Sequence, residues 1–182
     1  MKLKMMAMVP VLVFAGAARA DEGALIQKLK GAKFSLLDAV AYAEKTSGPA
    51  TSAKFELDDE GQNLVFSVYT APQGIETSPE STDLTEVAGA ATELPIQGAA
   101  EVFTDKEHIA RASVHLALRQ LSRWTLTEVI QKALRREPGM AFSVENPTVR
   151  RHRAVADVSV LTPCGEVRVV TVNLQSGDCT EE

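Results

Sequence analysis

The sequence predicts an α+β fold with two similar modules, each a helix packed on a small antiparallel β-sheet, joined by a connector helix. The main observation is a pattern that occurs twice at a constant offset of 90 residues, as SLLDAVAYA at 35–43 and TLTEVIQKA at 125–133. A glycine follows each copy, Gly48 and then Gly139, and after it apolar and polar residues alternate with the period of a β-strand. A repeated unit of one helix followed by strands indicates the duplication of a small module.

The predicted elements of the first module follow from caps and periodicity. Ser35 and Asp38 have the spacing of a capping box, and Gly48 ends the helix that they begin. Alternating apolar residues on both sides of an acidic turn then indicate a β-hairpin. The elements expected here are a short helix at 22–30, the capped helix at 35–47, strands at 51–57 and 64–68, and a short strand at 84–88.

The connector helix and the second module are predicted in the same way. Thr104 and Glu107 form a capping box that begins the connector helix, which has a broad apolar face including Val114 and Leu121. Thr125 caps the repeated helix. Strands are expected at 141–144, 155–160 and 167–174, with turns at 146–147 and 150–153.

The domain boundaries divide the chain into four parts. They are residues 1–20, the first module at 21–103 (rich in loops after residue 70), the connector at 104–123, and the second module at 124–182. A module of about 50 residues buries little surface by itself, so pairing of the two modules is favoured.

Residues 1–20 have the organisation of a secretory signal peptide. Lys2 and Lys4 precede an apolar run at 5–17, and small residues lead to a cleavage site after Ala20. A membrane anchor is the weaker alternative because the apolar run is too short to span a bilayer. No cysteine lies near the cleavage site, so a lipid anchor is not indicated. A signal peptide predicts only that the protein is exported, and no later segment is apolar enough to span a membrane.

The charge distribution argues against a general role in nucleic-acid binding. The formal net charge is −5, and the chain is 45% hydrophobic and 24% charged, which is ordinary for a globular protein. Residues 105–153 form a basic exception, with ten Lys and Arg against five Asp and Glu. This segment either attracts an acidic partner or pairs with acidic residues of the same molecule.

The helix pattern, the following glycine, the hairpin and a last strand that ends before Gly177 resemble the PepSY domain. The second copy carries the resemblance best, through residues 125–133, Gly139 and residues 173–178, and residues 34–69 match the helix and first hairpin. PepSY domains occur in propeptides of thermolysin-like metallopeptidases and in cell-envelope proteins, and peptidase regulation has been proposed for them. The resemblance implies an exported, non-catalytic bacterial protein of the periplasm or the medium that modulates a peptidase or binds another envelope protein. A structural or scaffolding role in the envelope is the alternative, and the oligomeric state stays open.

No motif predicts a catalytic residue, a cofactor or a metal site. His108 and His115 lie seven residues apart on the connector helix, and a metal or small-molecule sensor built on them is a minor alternative. His152 falls in a basic turn. Residues 58–61 resemble a calcium loop only in their first acidic positions, since no further ligands follow at EF-hand spacing.

Cys164 and Cys179 are the only cysteines, and two arguments about them conflict. An even count in an exported chain suggests a disulfide. A strand at 166–174 would carry the chain roughly 30 Å away from Cys164, and five further residues could return only about 17 Å. A bridge would therefore need this strand to be short or bent.

Overall fold

The computed structural model describes residues 17–75, 84–103, 106–145 and 147–181. Side chains are described from residue 23 onward, and in the third helix from residue 113 onward. The helices are α1 (Ala17–Leu29), α2 (Leu36–Ser47), α3 (Lys106–Gln120) and α4 (Leu126–Arg136). The strands are β1 (Ala50–Leu57), β2 (Leu64–Thr70), β3 (Thr85–Ala90), β4 (Ala99–Val102), β5 (Met140–Val144), β6 (Thr148–Arg150), β7 (Arg153–Leu161), β8 (Val167–Asn173) and β9 (Cys179–Glu181).

Within the described residues, the strands form one antiparallel sheet in the order β4-β3-β2-β1-β5-β7-β8-β9, and β6 also pairs with β7. The prediction of an α+β fold is therefore confirmed. The two small sheets expected from the sequence are instead joined into one, because β1 pairs with β5 through Ala53 with Val144 and Lys54 with Ser143.

The order of elements is the same on both sides of the β1–β5 junction. After α2, the strands β1, β2, β3 and β4 follow one another outward to one edge of the sheet. After α4, the strands β5, β7, β8 and β9 follow one another outward to the other edge. The repeat in the sequence thus corresponds to a repeated order of helix and strands.

Capping boxes begin α2 and α4, as predicted. The backbone N–H of Asp38 donates to the Ser35 hydroxyl at 3.2 Å, and the Ser35 N–H donates to the Asp38 carboxylate at 2.8 Å. Thr125 and Glu128 repeat this arrangement with the same two distances. Each box satisfies backbone donors that a helix N-terminus otherwise leaves without partners.

The main core lies between one face of the sheet and the two helices α2 and α4. It is continuous across the β1–β5 junction, because residues of both halves belong to one buried cluster. Phe66 is fully buried and packs edge-on against Phe34, with ring centroids 5.7 Å apart. The helices bury Leu36, Ala39, Val40 and Ala43 from α2 and Leu126, Val129, Ile130 and Ala133 from α4.

The connector helix α3 lies against β1 and β6, on the sheet face opposite α2 and α4. Leu116 is buried there with Ala71 and Leu84 in a small second cluster. The prediction that this helix packs through a broad apolar face is wrong in part, because the side chains of Val114 and Leu121 are 57% and 50% exposed. A single helix touching the sheet along a narrow line does not cover so wide a face.

Several predictions fall partly or wholly outside the described residues. Residues 1–16, which are most of the predicted signal peptide, and the predicted Thr104 cap lie outside the described residues. Helix α1 begins at Ala17 and continues through the predicted cleavage position at Ala20. In the described part of the chain, no helix is both long and apolar enough to cross a membrane.

Candidate functional site

The polar face of the sheet, defined here as the face opposite α2 and α4, carries a cleft of about 470 Å³. We call it the polar-face cleft. It lies at the β1–β5 junction, where the two halves of the sheet meet. Strands β1 and β2 contribute Ser52, Lys54, Ser67 and Tyr69. The segment from β5 to β6 contributes Ser143, Glu145 and Thr148, and α3 contributes His115.

Strand alternation explains why these side chains share a face. Ala53 and Phe55 of β1 point into the main core, so Lys54 between them points to the polar face. Lys54 is paired with Ser143 across the junction, and paired residues of antiparallel strands present their side chains on the same side. The alternation that builds the core therefore also gathers the polar groups.

Helix α3 forms one wall of the polar-face cleft. Its position is held by Leu116, which is 4% exposed and packs with Ala71 and Leu84. His115 precedes Leu116 in the helix and is half-buried where it lines the cleft. The cleft thus has a floor of two central strands and a helical wall anchored by apolar contacts.

Charges of both signs surround the cleft. Lys54 forms an ion pair with Glu56 on the same strand, and 45% of its side chain is exposed. The Ser67 hydroxyl donates to the carboxylate of Glu86 on the neighbouring strand. Because acids and a base alternate here, the cleft suits a ligand that has both donors and acceptors better than a strongly charged one.

Tyr69 is held as a neutral phenol. Burial, together with the charges of Glu86 and Glu56, raises its pKa above the ordinary value of 10.0. Its ring stacks on Phe103, with centroids 5.6 Å apart and the planes tilted by 18°. At neutral pH the phenol therefore stays protonated, so Tyr69 offers the cleft a fixed ring and a hydroxyl group that can donate a hydrogen bond.

One of the three histidines of the sequence lies at the polar-face cleft. His115 lines the polar-face cleft, whereas the side chain of His108 lies outside the described part, so the pair stays a prediction. His152 lies in the β6–β7 turn, where it and Arg151 have φ values of +65° and +48°. Among the described residues, no group of three or more His, Cys, Asp or Glu is placed to hold a metal ion.

The acidic segment at 58–61 forms the turn between β1 and β2. The Asp58 carboxylate accepts the backbone N–H of Gln62 at 2.7 Å and of Asn63 at 3.1 Å. Hydrogen bonds from the backbone and side chain of Asn63 are the main cause of a lowered pKa for Asp58. The carboxylate thus closes the turn on its own backbone, as Asp commonly does in turns.

Cys164 and Cys179 are free thiols, so the disulfide considered from the sequence is not formed in this structure. Cys179 pairs with Val172 near one end of β8, whereas Cys164 lies in the turn before the other end of that strand. Burial is the main cause that raises the pKa of the Cys179 thiol. That thiol is protonated at neutral pH and is a poor nucleophile.

The sequence did not indicate the cleft, because its members come from four strands and a helix whose pairing is non-local. The closest signal was the alternation of Ser52, Lys54 and Glu56 with apolar residues, which marked one polar strand face.

Comparison with known proteins gives little. No family model matches the chain, and no curated protein matches it. Among solved structures, a similar chain is the crystal structure of a protein from Clostridium difficile 630 described as a "putative lipoprotein". The alignment has a TM-score of 0.38 and 13% identity, and it covers 83% of this chain and 95% of the other.

Proposed function

We propose that this chain is an exported, non-catalytic PepSY-like protein that binds an extended segment of a peptidase or another envelope protein in the polar-face cleft. The observation that carries the proposal is the cleft itself. Its volume of about 470 Å³ falls within the range of about 300–1,000 Å³ that is typical of ligand sites. Hydroxyl groups and opposite charges around it match the donors and acceptors of a polypeptide backbone.

The repeated order of elements supports the PepSY-like part of the proposal. In each half a capped helix packs on the strands that follow it, which is the arrangement that the resemblance implies. On this proposal the two modules are fused through β1 and β5, and α3 passes from one to the other across the polar face. The cleft would then be a product of the fusion, since each half supplies part of its floor.

The proposal that the protein is non-catalytic rests on the protonation and hydrogen bonding of its potential nucleophiles. The Tyr69 phenol and the Cys179 thiol both have raised pKa values, so neither is activated as a nucleophile. The Ser67 hydroxyl donates its hydrogen bond to the Glu86 carboxylate within the sheet. The cleft is accordingly better suited to holding a polypeptide than to cleaving one.

The experiment is affinity purification of the tagged protein from its native cell envelope after mild crosslinking. We expect a peptidase to be recovered near one-to-one and to be inhibited in a titration. Ser143→Tyr fills the floor of the cleft with a residue that strands accept well, so it should abolish recovery and inhibition. Thr180→Tyr, on the exposed edge strand β9, is the matched control and should behave like the wild type. Equal recovery by both variants would contradict the assigned site.

A scaffolding role is the second candidate, and β4 favours it. All four residues of β4 are exposed, and only β3 pairs with it among the described residues. An open edge of this kind can pair with a second copy of the sheet. Sedimentation at increasing concentration would show a dimer. The Phe103 N–H donates to Leu84, so two and three residues earlier the N–H of Glu101 faces β3 and that of Ala100 faces the open edge. Ala100→Pro should therefore abolish the dimer while leaving a monomer that folds.

A further inference from the structure

The side chain of Arg119, in the last turn of α3, is buried without a bonded partner for its Nε atom. The residue is only 4% exposed, and Nε makes no hydrogen bond within the described part of the chain. Burial of a guanidinium costs free energy unless hydrogen bonds and opposite charge compensate it. A buried arginine with an unused donor therefore indicates a place that an anion can occupy.

Arg119 lines a second cleft, of about 250 Å³, which we call the Arg119 cleft. The end of α3 and the turn that leads to α4 form it, and Ile75 closes one side. Arg123 and Trp124 also line this cleft, and the indole Nε1 of Trp124 is a second buried donor without a partner among the described residues. Two residues that line the cleft thus each have a buried donor without a partner among the described residues, and Arg123 adds a second cation.

The Trp124 ring has a fixed position in this cleft. The ammonium group of Lys132 lies 3.6 Å from the ring centroid, and a Cβ added to Gly177 would come within 3.0 Å of the ring. The Ser122 hydroxyl accepts the Trp124 N–H at 3.1 Å, which fixes the backbone of the turn. These contacts hold the wall of the cleft in place before any ligand binds.

The surrounding carboxylates limit the charge of the ligand. Glu44 and Glu128 raise the pKa of Arg119, although burial has the larger effect and leaves it lowered. Within the described residues neither carboxylate forms an ion pair with Arg119. Their negative charge would repel a doubly charged anion more strongly than a singly charged one.

We propose that the Arg119 cleft binds a carboxylate, held by the guanidinium of Arg119 with Arg123 at the rim. A carboxylate is planar and singly charged, and its two oxygens match the fork of N–H donors on a guanidinium. The ligand is either a free small carboxylate or the C-terminal carboxylate of a polypeptide. This site is separate from the polar-face cleft and does not depend on the function proposed for it.

The sole tryptophan of the chain is Trp124, so intrinsic fluorescence reports on this cleft directly. The purified protein is titrated at low ionic strength with acetate, with N-acetylated trialanine, and with the C-terminal amide of that peptide. We expect a saturable change with the acids and none with the amide. Binding of the peptide acid much more tightly than acetate identifies a polypeptide C-terminus as the ligand, and similar binding identifies a free carboxylate.

Variants locate the site. Arg119→Gln should weaken binding about tenfold or more, because a charge-assisted pair is lost. Arg123→Gln, at an exposed position, should weaken it about two- to threefold, and more at low salt. Arg135→Gln removes an exposed arginine outside the cleft and should change nothing.

Three results would overturn the proposal: equal binding of the amide, tighter binding of inorganic phosphate than of acetate, or unchanged affinity in Arg119→Gln. Should Arg119→Gln fail to fold, the acid-against-amide comparison on the wild type and the Arg123→Gln variant still decide the question.

Discussion

Ile130 offers a direct test of how the core holds α4 to the sheet. Its side chain has no exposed surface and lies in the cluster that spans both halves of the sheet. Ile130→Ala removes three buried carbons, worth about 0.8 kcal/mol each, or about 2.4 kcal/mol of transfer free energy. The cavity that remains adds to this, so we expect the free energy of unfolding to fall by about 3 kcal/mol.

Urea denaturation measures this change with two probes. With a slope near 2 kcal/mol per molar urea, the midpoint should fall by about 1.5 M. Trp124 fluorescence reports on the second half of the chain, and far-UV circular dichroism reports on the secondary structure of the whole chain. The two unfolding transitions should coincide because one core joins the halves. Gln131→Ala, at the exposed neighbouring position, is the control and should stay within about 0.5 kcal/mol of the wild type.

A loss below about 1 kcal/mol for Ile130→Ala would refute the packing argument, because it would mean that the site is not closely packed. Two separate transitions would refute the continuous core. In that case the halves would unfold as independent modules.

Three further predictions concern the repeat. Thr125→Ala removes the hydroxyl that caps α4 and should lower the free energy of unfolding by about 1 kcal/mol in urea denaturation. Hydrogen bonds from Thr125 lower the pKa of Glu128. The stabilisation by its carboxylate is therefore present above the ordinary carboxyl pKa and is lost as the pH falls through the lowered pKa, where the difference in free energy of unfolding between the wild type and Glu128→Gln should disappear. Gly139→Ala would place a Cβ against the carbonyl oxygen of Leu161 and should lower the melting temperature. Gly23→Ala, with nothing within 4 Å, should not.

Local features of the fold were predictable because they depend on neighbouring residues. The capping boxes at Ser35 and Thr125, the helices that they begin and the β1–β2 hairpin lie where the sequence predicts them. The acidic turn at 58–61 was also predicted correctly, and the Asp58 carboxylate closes it by accepting the backbone N–H of Gln62.

Non-local features were not predictable from one sequence. The single sheet depends on the pairing of Lys54 with Ser143, which are far apart in the chain. Strands β6 and β9 have only three residues each, too few for a period of two to be recognised. Arg119 lies within an apolar helix pattern, and only the packing of α3 on the sheet shows that its guanidinium is buried.

The central claim is that the polar-face cleft holds a segment of another protein. The most direct test places the photo-crosslinking residue p-benzoylphenylalanine at Ser143 in living cells, with separate controls at Thr180 and at Glu101 on the β4 edge. We predict a covalent adduct with another protein from position 143 and none from position 180. No adduct from position 143, together with an adduct from position 101, would contradict the claim and place the partner at the sheet edge.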